Sequence, residues 1–404
     1  MAGAGEAREL SPAISHQVTL RLNGNRPLLA AFQDGVRPWT AVTVSGDSIN
    51  MPVTDTAGRY GFMVVEPGSK DRVIVIQSTV AEATLFDLRA PTVLVSLQGA
   101  VSGLAKNESM SLFALNAQNP NTLNGHYTFP IPRQAPWDLV AARQTTQGTQ
   151  LVQVRRGLLA NTLQQDLPAT SVAFRTPALF NVQLTEAAAP SASFAFVSLI
   201  TANGTFADLG GLPNQSSSYF ALNQLDRAGA DRYLFDALTF GDATSVQMLT
   251  YENVPTNRSL IAPEPLPAAT FATAPTAKSH VARVTWATDP RAKLFDFTFD
   301  SNRAAASHSE YVTKNRLLAG TVKTFTTPDF STVTGWNTSW DAPATLTKAE
   351  IDSYASTLTL HDLIALPATF PNHTVTTIWS APLPGRGPAV QIAPGMPDAG
   401  LTAP

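Results

Sequence analysis

Residues 58–77 read GRYGFMVVEPGSKDRVIVIQ, and residues 125–144 read GHYTFPIPRQAPWDLVAARQ. The two stretches match at a constant offset of 67 residues, with Gly58, Tyr60, Phe62, Asp71, Val73 and Gln77 answered by Gly125, Tyr127, Phe129, Asp138, Val140 and Gln144. A looser third copy pairs Tyr219-Phe220-Ala221-Leu222 with Asp231-Arg232-Tyr233-Leu234, one residue longer in its spacing. Each copy reads as a turn, a strand with Tyr and Phe at i and i+2 on one face, a short connection and a second strand. The repeat predicts a hairpin unit used at least twice, and so a succession of small β-domains. The recurring tyrosines suit ligand stacking, but packing inside a β-sandwich is the simpler reading.

Working outward, other segments have the same style. His16–Leu22 alternates apolar and polar residues, Arg72–Ile76 and Thr92–Leu97 are short β-branched runs, and Ser193–Ile200, His280–Trp286 and Leu294–Phe299 continue the pattern. Runs of this kind, bounded by Gly, Pro, Asn and Asp, indicate antiparallel sandwiches or barrels. The C-terminal part reads differently. Thr347 and Glu350 have capping-box spacing, and Ile351, Tyr354, Ala355 and Leu358 then follow at helical spacing, so a helix is expected there. A second helix is expected over Asn302–Leu318, with Gly320 just past its end. The fold class expected is mainly β: tandem antiparallel β-sandwich domains with a smaller α+β C-terminal domain.

The first copy, Thr54-Asp55-x-x-Gly58-x-Tyr60-x-Phe62 with Pro67-Gly68 and then Val73 and Val75, resembles the carboxypeptidase-regulatory-like (transthyretin-like) β-sandwich family. The second copy, Asn124-Gly125-x-Tyr127-x-Phe129-x-Ile131-Pro132 leading to Trp137-Asp138-Leu139-Val140, looks like the same pattern, and the resemblance covers about Val18 to Pro168. Leu29–Thr40 with Gly58–Val65 also look like the N-terminal modules of uncharacterised bacterial envelope lipoproteins. The resemblance implies folding, spacing or adhesion modules without a catalytic set of their own. The organisation expected is a β-sandwich module over 14–90, a transthyretin-like module over 91–168 and a β-rich module over 169–261. A Pro-rich linker at 262–277, an α+β domain over 278–380 and a disordered tail at 381–404 complete it.

The chain has 404 residues, 30 prolines, no cysteine and a formal net charge of −3. Without thiols there are no disulfides, zinc–thiolate sites, Fe–S clusters or cysteine nucleophiles. A near-neutral balance argues against a nucleic-acid partner, which needs a basic footprint. No run of apolar residues is long enough for a transmembrane helix, and no signal peptide is visible after Met1. Scarce lysine and abundant Ser, Thr, Asn and Gln are in keeping with exported bacterial β-proteins. The expected location is extracytoplasmic (periplasm, outer membrane or cell surface), for a trimmed mature chain. Asn-x-Ser/Thr triplets at Asn107, Asn203, Asn214, Asn257, Asn337 and Asn372 are expected of such a composition by chance.

Familiar catalytic patterns are missing. The six histidines (His16, His126, His280, His308, His361 and His373) form no local zinc signature, and only His308-Ser309-Glu310 and His361-Asp362 put histidine next to a carboxylate. These read as surface or helix-end residues. No Gly-x-Ser-x-Gly elbow or phosphate-binding glycine loop occurs; Gly210-Gly211 and Gly385-Arg386-Gly387 lack the spacing. Asp289, Asp296, Asp300 and Asp329 are scattered candidates for a carboxylate pair. No catalytic residue, metal site or cofactor is expected. The one constellation singled out is Thr334-Gly335-Trp336-Asn337-Thr338-Ser339-Trp340-Asp341. Two indoles beside Asn and Asp suit carbohydrate, and on a strand Trp336 and Trp340 share a face; the bland alternative is that both cap a core. Trp336, Asn337, Trp340 and Asp341 are thus the expected ligand-binding residues. The expected partner is carbohydrate or another envelope protein.

The leading expectation is a non-enzymatic exported envelope protein that binds, adheres or scaffolds. One alternative is an envelope hydrolase of glycans or esters with its site in 280–380, and another is an appendage or phage-like structural subunit.

Overall fold

A computed structural model describes residues 16–88, 93–134, 136–145, 150–186, 192–208, 216–262, 264–302, 305–365, 371 and 374–383. The expected disordered tail, the two Gly-containing loops at 210–211 and 385–387, Asn214, Asn372 and His373 lie almost wholly outside these residues. The fold is mainly β, with several sheets and a single short helix among the described residues.

The strands run in chain order as follows. The first seven are β1 (His16–Arg21), β2 (Leu29–Asp34), β3 (Thr40–Ala41), β4 (Ser48–Val53), β5 (Arg59–Glu66), β6 (Asp71–Thr79) and β7 (Leu85–Asp87). Next come β8 (Leu94–Ser102), β9 (Ser109–Ala114), β10 (Ala117–Thr122), β11 (Gly125–Pro132), β12 (Trp137–Gln144), β13 (Gln150–Leu158) and β14 (Leu167–Pro168). They are followed by β15 (Ala178–Glu186), β16 (Ala192–Ile200), β17 (Phe206–Asp208), β18 (Ser216–Ala221), β19 (Arg232–Phe240), β20 (Ser245–Glu252) and β21 (Arg258–Ala262). The last are β22 (Thr270–Pro275), β23 (His280–Ala287), β24 (Leu294–Asp300), β25 (Ala306–Thr313), β26 (Val322–Thr326), β27 (Ala349–Ser356) and, after helix α1 (Leu360–Ala365), β28 (Thr374–Pro382).

Two compact units share these strands, and each is discontinuous in sequence: Met1–Ala90 with Ala269–Ser353, and Pro91–Ala268 with Tyr354–Pro404. Compactness therefore divides the chain differently from a serial order of modules. The stretch expected as a linker at 262–277 is a correction. Its second half is strand β22, fully paired with β23 from Thr270↔Thr285 to Pro275↔His280. Phe271 anchors it against Phe297, with ring centroids 6.1 Å apart.

In the first unit the strand order β27-β24-β25-β6-β5-β2-β3 makes one extended sheet. Side chains alternate across it. One face carries Tyr60 and Phe62, with ring centroids 5.8 Å apart, and Tyr60 meets Phe86 of the small β4-β1-β7 sheet. The other carries Phe297, Glu310, Val75 and Met63 in lateral register, with Phe295 two residues along β24 on the same side. Sheet β22-β23-β26 covers part of that face, with Trp286 against Phe295 and Phe325 against Phe297. Segment 327–348, between β26 and β27, covers another part and contributes Phe330, Val333 and Trp340 to a core with Trp39, Met63, Val65, Val73 and Val75.

The two helices expected here are strands. Residues 306–313 form β25, paired antiparallel with β24 and parallel with β6, and residues 349–356 form β27. Both segments have backbone partners in the sheet, and burial on the pleated surface outweighs a weak helical periodicity. The C-terminal α+β expectation thus reduces to α1, whose Thr359 Oγ1 accepts from the Asp362 amide.

In the second unit, sheets β11-β8-β14 and β10-β9-β12-β13 face each other across Leu97, Leu112, Tyr127, Phe129, Trp137 and Leu139. The opposite face of β12, through Val140 and Ala142, packs on a further core with Val182, Leu199, Tyr219 and Phe235. This explains why β12 reads as a continuous apolar run.

The repeat is a hairpin only once. β5 pairs β6 in full register from Arg59↔Thr79 to Glu66↔Arg72. In the second copy β11 pairs β8, whereas β12 pairs β9 and β13. In the third, β18 and β19 likewise belong to different sheets. Pro130 and Pro132 supply the reason. They remove amide donors at alternate positions, which suits β11 to the edge position it occupies. The tyrosines are core in all three copies. Tyr60, Tyr127 and Tyr219 donate their hydroxyls to the carbonyls of Ala83, Gln165 and Thr256 at 2.6, 2.6 and 2.9 Å.

Candidate functional site

The expected ligand-binding residues come together in segment 327–348, but not on a strand. Asn337 accepts from the Ser339 amide at 3.0 Å and so caps a short 3-10 turn, Thr338–Trp340. Gly335, at φ 90°, provides the left-handed turn just before it. This geometry puts Trp336 and Trp340 edge to face with centroids 5.3 Å apart, while Phe330 lies 5.0 Å from Trp336 and Trp39 lies 5.1 Å from Phe330. Both indole N–H groups are used internally. Trp336 donates to Asp341 Oδ1 at 2.8 Å and Trp340 to Asp71 Oδ2 at 2.9 Å. Trp340 is buried, Trp336 is half-buried and Asn337 is exposed. The constellation caps a core.

Beside it lies a small cleft lined by His280, His308, Glu310, Asp329, Trp336, Trp340 and Asp341, among others. Its volume is about 10 Å³, which is room for about one water. His308 and Glu310 sit two residues apart on β25 and so point to the same side. Both are buried, with 3% and 0% of their side chains exposed. The surface or helix-end reading of His308 is therefore corrected. Its Nε2 lies 2.6 Å from the Trp340 carbonyl. A carbonyl only accepts, so Nε2 bears the proton and Nδ1 is a bare acceptor. Nδ1 and both Glu310 oxygens have no hydrogen-bond partner, and Nδ1 lies 4.0 Å from Glu310 Oε1. Burial lowers the His308 pKa to about 4, against the opposing pull of the Trp340 carbonyl and Asp300. Burial, helped by the charge of Asp296, raises Glu310 well above the usual carboxylate range. His308 is neutral near pH 7, so the pair is not a salt bridge there.

At the rim, two aspartates are driven apart. Asp341 is raised by burial, with Asp329 adding to the shift and the Trp336 bond and His280 opposing it. Asp329 also feels burial, but hydrogen bonds from Ser331, Thr276 and Ser279 outweigh it and lower its pKa. Of the scattered aspartates, Asp329 lines this cleft. Asp289 pairs with Arg291, Asp300 with Lys70, and Asp296 lies on the opposite face of β24 from Phe297. Among the described residues no group of three or more His, Asp or Glu side chains is placed to hold a metal ion.

Sequence reading had Asp329 among its scattered carboxylate candidates but missed Glu310 as a cleft residue. The His308-Ser309-Glu310 spacing was a usable signal, because i and i+2 share a face once the segment is a strand. No protein-family model, curated protein or solved structure matches the chain.

Proposed function

We propose that the chain is a non-enzymatic exported protein of β-sandwich modules, built in part on the transthyretin-like pattern, that binds, adheres or scaffolds at the cell envelope. The observation that supports this most is the internal use of the Trp336 and Trp340 indoles, beside a cleft of one-water size. Such a site serves packing and leaves recognition to larger outer surfaces of the sheets. The cysteine-free, lysine-poor composition fits an envelope setting. The test is a panel of immobilised cell-wall polysaccharides and envelope-protein extracts, assayed with the intact protein for retention and for product release. Saturable retention without turnover is the expected result; turnover would overturn the reading.

A second reading, a hydrolase of glycans or esters, is favoured by one observation, the opposed shifts of Asp329 and Asp341 beside His280. Two neighbouring carboxyls whose pKa values are pushed in opposite directions suit general acid–base work. Under this reading Asp329→Asn or Asp341→Asn abolishes a measurable hydrolysis while the fold persists by circular dichroism.

A further inference from the structure

We propose that segment 327–342 is an acid-released strap over the sheet of the first unit, lifted when the buried His308 beneath it takes a proton on its partnerless Nδ1. The inference stands independently of the binding reading above. The strap has no regular structure beyond the turn Thr338–Trp340. It is held by the His308–Trp340 bond, by Trp340 on Asp71, by the Asn302 amide on the Asp341 carbonyl, and by the apolar contacts of Phe330, Val333 and Trp340. His308 is the polar group beneath it whose charge changes in mild acid. Its ring is sandwiched in place by Phe299, stacked at a centroid distance of 4.2 Å.

An imidazolium formed near pH 4 meets Glu310 as a carboxylic acid, since burial raises that group well above the usual carboxylate range, and not as a carboxylate counter-ion. Asp300, on β24, favours the charge; Lys70, in the β5–β6 turn, opposes it. Asp71 is engaged with Trp340, Asp341 with Trp336, and Asp329 with Ser331 and Ser279; His280 faces the cleft from β23. The buried charge is therefore left under-solvated. Lifting the strap brings the ring to water and uncovers Trp336, Trp340 and the Val73–Val75 side of the sheet as an apolar surface.

The test is amide hydrogen exchange of the full chain between pH 7 and pH 3.5, corrected for the intrinsic pH dependence of exchange. An opening that takes up one proton on a group with a pKa of about 4 closed and about 6.5 open grows about five- to sevenfold per pH unit between 6 and 4. Protection of residues 330–341 should fall by about fortyfold over that window while β5 stays protected. His308→Gln has an amide donor for the Trp340 carbonyl and no titration, and should lose less than about threefold, whatever Asp71, Asp300 and Asp341 contribute. Wild-type protection that is flat, that falls together with β5, or that is matched by His308→Gln overturns the proposal. Should His308→Gln fail to fold, NMR titration of the His308 ring in the wild type decides. Ring protonation coincident with the onset of exchange supports the proposal; ring protonation without a change in strap protection overturns it.

Discussion

Trp340 and Asp71 are 269 residues apart in sequence and joined by one hydrogen bond, indole Nε1 to Oδ2 at 2.9 Å. The bond ties segment 327–348 to the start of β6, while the rest of the indole fills the core beside Trp39 and Phe330. Trp340→Phe keeps most of that filling and removes the donor, at a cost of about 1–2 kcal/mol. Trp340→Ala adds a cavity, at about 3–5 kcal/mol. Urea unfolding of the first unit, followed by a probe within it, checks both values. An alanine variant as stable as wild type would contradict a core role for Trp340.

Arg156 bridges two aspartates at equivalent positions of the second and third repeat copies. It reaches Asp138 at 3.3 Å and Asp231 at 2.7 Å, and these carboxylates are 0% and 1% exposed. Asp138 also accepts from Gly157 and Asn203, and Asp231 from Ala202 and Ala228. Arg156→Met leaves both carboxylates without their cation and should cost about 3–5 kcal/mol. Arg156→Lys should recover only part of this, because it lacks the planar fork. A chemical denaturation midpoint for each variant measures the ordering.

Gly99 is where two backbones meet. A Cβ there would lie 1.8 Å from the Gln165 carbonyl oxygen and 2.8 Å from the Tyr127 hydroxyl, which itself donates to that oxygen. Gly99→Ala must displace backbone, and should cost at least about 1–3 kcal/mol. Loss of thermal stability together with faster amide exchange at Tyr127 and Gln165 would confirm it. A neutral substitution would place Gly99 differently.

Asp236, on β19, is raised to about 7 by burial, although Gln247 donates to it at 2.7 Å. Asp296 and Glu350 are raised to about 7 and about 8, also by burial first. A carboxyl raised on folding binds its proton more tightly in the folded state. Its stabilising share is complete below the unfolded pKa of about 4 and is lost as pH rises through the folded value. His308, lowered to about 4, acts in the opposite direction: its share is complete above about pH 6.5 and is lost as pH falls toward 4. Stability should therefore decline from about pH 6 to pH 8. Asp236→Asn and Glu350→Gln should each flatten that decline, as read by Tm across the pH series. A Tm that rises from pH 6 to pH 8 would refute the burial of these carboxyls in the folded state.

The stretch that carries the repeat illustrates how much was legible. Alternation along 58–77 identified β5 and β6 because the four residues 67–70 leave the two strands room only for a hairpin. The same letters at 125–144 misled about pairing. Two prolines in β11 remove donors at alternate positions, and which neighbour then pairs is a matter of distant strands, here β8 and β9. The Trp-rich site was legible as a cluster. Its role was not, because whether an indole N–H faces a ligand or Asp71 depends on a residue in another part of the chain.

Local pattern by itself determined that the chain is mainly β, since side-chain alternation and turn residues act over a few positions. It also determined the absence of thiol chemistry, which composition alone decides. Tertiary structure decided that 306–313 and 349–356 are strands, because backbone pairing and burial outweigh the small propensity differences that had favoured helix. It also decided that His308 and Glu310 share one buried cleft. Burial is a property of what covers a residue, and the covering segment begins 17 residues beyond Glu310, on the far side of β26.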